Sequence, residues 1–206
     1  MESLPLFIFA SGVLIVTPGP DLIYVLTRGI AGGRRSGVVS AVGVTAGLLV
    51  HTLAAALGLA VLLQTSTIGF LALKTAGGLY LIYLGCQMVR NRGRIDLAGV
   101  GKRMGVRRCF VQGFVSNVLN PKIALFFVTF LPQFVSLEST NQSLYMAGLG
   151  LLFAFMTVIF LLVLGLFAGQ IGSWLQHRKQ VTSHINGGAG SALVLLGLFL
   201  LRPDQH

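Results

Sequence analysis

A few polar side chains stand inside the long apolar stretches of this chain, and these are the residues expected to do chemistry. They are Thr17, Asp21, His51, Lys74, Tyr80, Asn120 and Lys122. In a bilayer a charged side chain is costly and faces the bundle interior or a water-filled cavity. Asp21 and Lys122 are therefore the first candidates for binding a charged solute or a proton.

Prolines interrupt two apolar stretches beside these charged residues, in Thr17-Pro18-Gly19-Pro20-Asp21 and in Asn120-Pro121-Lys122. A proline inside a helix removes a donor and clashes with the carbonyl four residues earlier, which costs about 3 kcal/mol or more. In a bilayer such breaks are tolerated where they line a protein cavity. The expected break residues are Pro18, Gly19, Pro20 and Pro121. The alternative is a kink that only shapes packing, with Asp21 hydrated near the surface.

Together these features favour a site for a zwitterion. Helix starts after the prolines offer free N–H groups and a positive dipole end to an anion, and unwound carbonyls attract an ammonium group. Asp21 is predicted to bind an ammonium group or a coupling proton. Asn120 and Lys122 are predicted to contact a carboxylate, or Lys122 pairs with Asp21, because a buried pair keeps charges that either group alone would lose.

The other polar candidates have plainer interpretations. The long stem of Lys74 lets its ammonium group reach the lipid headgroups, and His51 suits a packing residue in a helical bundle. Thr17 and Tyr80 are expected as hydrogen-bonding partners. The sequence has no HExxH motif, no glycine-rich phosphate loop and no catalytic triad pattern, so it predicts no enzyme activity, no metal and no cofactor.

Composition predicts an integral membrane protein. The 206 residues are 54% hydrophobic and 10% charged, whereas about a quarter of the residues in soluble domains are charged. The mean hydropathy is +0.85. Six apolar runs approach or exceed the roughly 20 residues that a bilayer core requires. They are Leu4–Thr27, Val38–Leu63, Ile68–Val89, Cys109–Val135, Leu144–Gln170 and Ile185–Leu201.

Basic residues give these runs an orientation. The formal net charge is +10, and twelve of the 15 Lys and Arg residues lie in the loops after the first, third and fifth runs. This is the positive-inside pattern of membrane proteins, not a basic stripe for nucleic acid, so no nucleic-acid partner is predicted. The three loops are predicted to be cytoplasmic and both termini to lie outside.

A basic segment, residues 90–108, separates two halves of three runs each, residues 1–89 and 109–206. Because three is an odd number, any similarity between the halves must be inverted, as in many secondary transporters. Pro18 and Pro121 are 103 residues apart, half the chain length. The predicted fold is an all-α integral membrane protein with six transmembrane helices, built as two inverted three-helix repeats with proline-broken helices 1 and 4.

Small and aromatic residues are predicted to pack the helices. The pair Gly43 and Gly47 in the second run allows close approach of backbones, and such glycine-rich faces also permit a homodimer. Four phenylalanines in the fourth run are expected to contact lipid or the bundle rather than a substrate. They are Phe126, Phe127, Phe130 and Phe134.

These motifs resemble the LysE/RhtB family of amino-acid exporters. The resemblance lies in Thr17 to Asp21, in Gly78 to Gly85, in Asn120-Pro121-Lys122 followed by Phe126-Phe127, and in Leu131-Pro132-Gln133-Phe134. It extends over nearly the whole chain, including the basic central loop. It implies a multi-pass protein of the bacterial inner membrane that exports amino acids or their derivatives in exchange for protons. The implied substrates are basic amino acids, threonine, homoserine or its lactone, or leucine, and Pro18 to Asp21 with Arg94 to Leu97 favour the threonine and homoserine branch.

Two other function classes stay open on the residues alone. One is a channel or transporter for another small solute, an inorganic ion or a lipid-like molecule. The other is a membrane scaffold that transports nothing and binds a partner at the basic loop. Saturable, gradient-driven counterflow of a labelled amino acid would separate an exporter from both.

Overall fold

The computed structural model describes residues 4–59, 67–90, 103–135, 141–177 and 179–201, and these residues form helices with no strand among them. The first broken span consists of α1 (Leu4–Val16) and α2 (Pro20–Gly32), bent by 49°. Helix α3 (Arg34–Ala54) continues into a π-helical turn, Ala55–Leu59. Helix α4 covers Thr67–Arg90.

The second broken span consists of α5 (Val106–Val118) and α6 (Pro121–Leu125). From α6 the chain continues through a π-helical turn and a 3-10 turn to Phe134, and this segment is bent by 46° from α5. The remaining helices are α7 (Gln142–Leu166), α8 (Ala168–His177) and α9 (Lys179–Leu200).

Several of these helices suit a bilayer. By length and composition, Arg34–Gly58 and Gln142–Leu166 can each cross a membrane alone, and each bent pair qualifies as one broken span. Within the described part of the chain this supports up to four spans, with a shorter apolar stretch at Gly187–Leu200. The fold is that of a multi-pass membrane protein, and the count of six spans stays a prediction.

Helix ends extend beyond several of the predicted apolar runs. The third run agrees with α4 to one residue at each end, but α9 begins six residues before Ile185 and α5 three residues before Cys109. Hydropathy marks the part of a helix that lies in lipid, whereas the helix itself can extend through basic residues into the headgroup layer. The predicted basic loop, 90–108, therefore loses Arg90 to α4 and its last three residues to α5, and residues 91–102 lie outside the described segments.

Glycines bring the helices into close contact. A methyl group on Gly43 of α3 would overlap the main chain of α5 at Phe110, and one on Gly85 of α4 would overlap the Gly190 carbonyl of α9. Glycine at these positions therefore lets backbones touch, which is how helices associate in lipid. This agrees with the packing role predicted for the glycine-rich faces.

A phenylalanine cluster fills the bundle beyond α6. Phe126 and Phe130 are fully buried and stack with ring centroids 4.8 Å apart, and Phe153 of α7 lies 5.2 Å from Phe126. Phe127 is also buried, and Phe134 packs edge-on against Phe7 at 5.2 Å. These rings contact the bundle, and they form an apolar cluster next to the second helix break.

Candidate functional site

The first helix break leaves several carbonyl groups at the end of α1 without helical donors, among them those of Leu14 and Thr17. Pro18 has no N–H group for the Leu14 carbonyl, and the chain has left the helix before it can supply one for Thr17. The Lys122 ammonium group donates to both oxygens, at 3.1 Å for Leu14 and 3.0 Å for Thr17. A lysine from the second half of the chain thus caps α1, where a cation also complements the helix dipole.

The second helix break frees one carbonyl in the same way, that of Asn117, four residues before Pro121. The Nε2 atom of His51 lies 3.0 Å from this oxygen. Because a carbonyl oxygen only accepts, Nε2 carries the hydrogen and donates it. The Asn120 backbone N–H donates to the same oxygen at 2.9 Å, so this carbonyl has two donors.

Asp21 is held by amide groups rather than by a cation. It is the second residue of α2, and its Oδ2 atom accepts hydrogen bonds from the side chains of Asn117 and Asn120, both at 2.8 Å. A carboxylate in the first turn of a helix is also stabilised by the helix dipole. The lysine pairing considered for Asp21 is replaced by these two amide bonds, because Lys122 donates to the carbonyls of α1.

The two helix breaks are held together by side chains that each break extends to the other. Proline begins each second segment, at Pro20 in α2 and Pro121 in α6, and a charged residue follows it directly. Asp21 extends from the first break to the asparagines of the second, while Lys122 extends from the second break to the carbonyls of the first. Opposite charges at matching positions therefore fasten two separate stretches of sequence to each other.

Asn120 has two functions in this arrangement. It is the N-cap of α6, where its Oδ1 atom accepts the Lys122 backbone N–H at 3.1 Å, and its Nδ2 atom donates to Asp21. Its side chain is 2% exposed. One amide group therefore fixes both the start of α6 and the orientation of the carboxylate.

A small cavity lies between the breaks. Its lining includes Thr17, Asp21, Asn117 and Lys122 on the polar side, and apolar side chains from α1, α3 and α7 such as Phe153. The volume is about 20 Å³, which is room for about one water molecule. In this conformation the cavity is too small for an amino acid.

Two oxygen atoms at this cavity have no hydrogen-bond partner among the described residues. They are Oδ1 of Asp21 and Oδ1 of Asn117, both buried. A buried acceptor without a donor is costly, so the pair favours a group that brings hydrogens or positive charge. A proton on Asp21 or an ammonium group in a widened cavity meets this requirement.

The other predicted residues are divided between this site and α4. Thr17 is buried at the cavity and donates from its hydroxyl to the Val13 carbonyl at 2.6 Å. Lys74 is buried on α4, and Tyr80 lies against Tyr83 with ring centroids 6.2 Å apart. Neither Lys74 nor Tyr80 lines the cavity beside Asp21. No group of three or more His, Cys, Asp or Glu side chains suited to a metal ion is found in the described segments.

Asn117 is the site residue that the sequence reasoning missed. It is fully buried at the end of α5 and contributes both a side-chain amide to Asp21 and the carbonyl that His51 binds. Its position was available in the sequence, because the carbonyl freed by a proline is always the one four residues earlier. Asn117 is also three residues before Asn120, a spacing that brings helical side chains to one face.

A larger cavity of about 540 Å³ lies away from this site, between α4 and α9. Its lining includes Cys86, Arg90 and Ser191, with apolar residues around them. It contains none of the groups joined at the helix breaks, so the small cavity is the candidate functional site.

Comparison with known proteins agrees with the fold and the motifs. The chain is 30% identical over 200 residues to a homoserine/homoserine lactone efflux protein of Salmonella typhimurium, covering 97% of this chain and 96% of the relative. It is 30% identical over 192 residues to a leucine efflux protein of Enterobacter sp., covering 91% and 90%. It is 31% identical over 189 residues to an uncharacterized membrane protein, YrhP, of Bacillus subtilis, covering 87% and 89%. No solved structure matches the chain.

The family comparison extends over both helix breaks. The family model described as LysE type translocator matches residues 12–203, which include the first proline motif, the second and all of the cavity-lining residues named above. The chain belongs to the LysE type translocator family.

Proposed function

We propose that this protein is a secondary active exporter of a small amino acid or amino-acid derivative, working by proton antiport in the bacterial inner membrane. The observation that carries the proposal is Asp21, a carboxylate with one unpartnered oxygen, held between two helix breaks at a small cavity. Carboxylates inside membrane spans commonly serve proton and substrate pathways. Membership in a translocator family supports the same conclusion.

The substrate is proposed from the relatives and from the site. Two relatives are named for efflux of homoserine or its lactone and of leucine, and threonine and basic amino acids remain further candidates from the motif resemblance. The cavity combines one carboxylate, one ammonium group and apolar walls. That combination suits a small molecule with an ammonium group and a modest side chain.

Export requires the cavity to open to one side at a time. We infer that the short segments after Pro20 and Pro121 tilt relative to α1 and α5, because helix breaks absorb backbone rotation at little cost. The two bends are similar, 49° and 46°, and the reciprocal contacts of Asp21 and Lys122 fit an inverted pair of halves, 1–89 and 109–206. Inverted repeats around a central site are typical of secondary transporters.

The proposed topology has six spans, with both termini outside. We expect Glu138 to lie in an outer loop because that segment has no basic residue. A Glu138→Cys protein with Cys86→Ser and Cys109→Ser should react with a membrane-impermeant thiol reagent in intact cells. A protein with the same two Cys→Ser substitutions and Arg35→Cys in place of Glu138→Cys should be protected, because Arg35 is exposed and lies in a predicted cytoplasmic loop. The opposite pattern would overturn the orientation.

The function is tested with the purified full-length protein in lipid vesicles. Labelled homoserine, threonine, leucine and lysine are offered to vesicles that contain the same unlabelled compound. An exporter gives saturable counterflow of at least one of them, whereas a channel gives non-saturable leak and a scaffold gives no flux. A growth-rescue screen against toxic levels of individual amino acids extends the search to other substrates. Chemical crosslinking in the same vesicles tests for the homodimer that the glycine-rich faces permit.

A further inference from the structure

We propose that the carbonyl oxygens of Leu14 and Thr17 form the binding site for the substrate's ammonium group, and that Lys122 holds this site until a substrate displaces it. The proposal rests on the function proposed above. It assigns the ammonium group to main-chain oxygens of α1 and leaves Asp21 for the coupling proton.

The contact that Lys122 makes with the two carbonyl oxygens shows which kind of group the site binds. A primary ammonium group, that of Lys122, already donates to both oxygens at 3.1 and 3.0 Å. The α-ammonium group of an amino acid has the same three donors and the same charge. A carbonyl pair that accepts one of these groups therefore has the geometry to accept the other.

Gly19 keeps the approach to this carbonyl pair open. A β-carbon at this position would lie 3.0 Å from the Lys122 Nζ atom, which is tighter than ordinary van der Waals contact, and 3.4 Å from its Cε atom. The Gly19 backbone is extended, with φ −160° and ψ −179°, so its conformation does not require glycine. Glycine at this position therefore leaves space beside the ammonium group.

A zwitterion can replace Lys122 without leaving any partner unsatisfied. Its ammonium group takes the two carbonyls, and its carboxylate takes the released Lys122, which borders the cavity. An amine without a carboxylate would leave Lys122 unpaired, and an acid without an ammonium group would leave the carbonyls open. Both losses are expensive in a buried site, so the site should select molecules with both groups.

The first test removes the tethered ammonium group and supplies a free one. In Lys122→Ala the missing part of the side chain is propylammonium, so n-propylammonium chloride should bind in its place and raise Tm by about 2–4 °C, the size of shift expected for a modest stabilisation in a chain of this length. Tetramethylammonium chloride is the matched control, because it has the charge but no N–H donor. The wild-type protein, with its site filled by Lys122, should respond to neither salt.

Equal shifts from the two salts in Lys122→Ala, or the same propylammonium shift in the wild type, would overturn the proposal. If Lys122→Ala is recovered in small amounts, the salts are supplied during membrane extraction and the amount of monodisperse protein becomes the readout. Neither readout depends on transport. Failure of the counterflow assay with a selective propylammonium effect would therefore overturn the proposed function and leave the ammonium site standing.

The second test uses the wild type and the amino acid that it transports. That amino acid, the amine made by removing its carboxyl group, and the acid made by removing its amino group are compared as inhibitors of counterflow. We expect the amine and the acid each to inhibit at least about tenfold more weakly than the amino acid, a difference equal to one hydrogen-bonded charged partner. Inhibition by the amine as strong as by the amino acid would contradict displacement of Lys122 by a carboxylate.

Discussion

The two helix breaks differ in how they are supported. The second is largely self-sufficient, because Asn120 caps α6 with its own side chain and its backbone N–H reaches the freed carbonyl of Asn117. The first has Gly19 at the start of α2 with no side-chain cap, and its freed carbonyls of Leu14 and Thr17 both accept from Lys122. From this difference we expect the first break to loosen more readily than the second when Lys122 moves.

The largest effect is expected from Asp21→Asn. An amide side chain can still accept from Asn117 and Asn120 through its oxygen, so the protein should fold, but it cannot take up a proton at pH 7. We expect pH-driven export from loaded vesicles to fall to the level of protein-free vesicles, because the carboxylate is the proposed coupling group. Transport of the labelled amino acid is the measurement.

Asp96→Asn is the matched control for that variant. It makes the same chemical change in the basic central segment, away from the site in sequence, and should leave export at the wild-type rate. Full activity of Asp21→Asn would remove Asp21 from the mechanism and leave the two breaks as packing features.

The next largest effect is expected from Lys122→Met, which keeps an unbranched side chain one atom shorter but removes the ammonium group. Two buried carbonyls then lose their donor, at about 1–3 kcal/mol each, and stability measured by thermal unfolding should fall accordingly. Lys122→Arg retains a cation and should recover part of the loss. A Lys122→Met protein as stable as the wild type would show that the first break does not depend on this lysine.

A smaller loss is expected from Asn120→Ala, which removes the N-cap of α6 at about 0.5–2 kcal/mol and one of the two amide bonds to Asp21. Asn120→Ser separates these roles, because serine can cap α6 but is too short to hold Asp21. We expect Asn120→Ser to recover thermal stability but not export. Recovery of export by serine would mean that the bond to Asp21 is unimportant.

The smallest effect is expected from His51→Phe. The carbonyl of Asn117 keeps the Asn120 N–H as a donor, so loss of the histidine should cost about 1 kcal/mol. His51→Gln keeps a side-chain donor and should cost less in the same unfolding measurement. The comparison of the two breaks would be wrong if His51→Phe destabilised the protein as much as Lys122→Met does.

The sequence predicted the residues of the site better than their partners. Asp21, Asn120 and Lys122 lie inside apolar runs of the sequence, where a polar side chain is costly in lipid. Their positions in these runs were therefore enough to predict that they lie together in a polar cluster. Which atom each contacts depends on how two distant stretches pack, and no local pattern specifies that Lys122 reaches Leu14 rather than Asp21. Lys74 and Tyr80 do not line the cavity. No local pattern could show this, because the rotation of a helix about its axis is set by the helices packed against it.

The prediction of helix boundaries was limited for a different reason. Hydropathy follows the lipid-facing length of α5 and α9, and it cannot detect the basic turns by which each helix continues past the apolar run.

Asn117 was not predicted, although the rule that a proline frees the carbonyl four residues earlier would have identified it. Counting four residues back from Pro18 and Pro121 gives Leu14 and Asn117, the two carbonyls that Lys122 and His51 bind.

Proton movement driven by an amino-acid gradient tests the central claim most directly. Vesicles containing the reconstituted protein, a trapped pH-sensitive dye and the transported amino acid are diluted into buffer without it. We expect the interior to acidify as the amino acid leaves, and we expect Asp21→Asn to abolish this acidification while Asp96→Asn does not. Acidification of the same size in Asp21→Asn, or amino-acid export with no pH change in the wild type, would contradict the central claim.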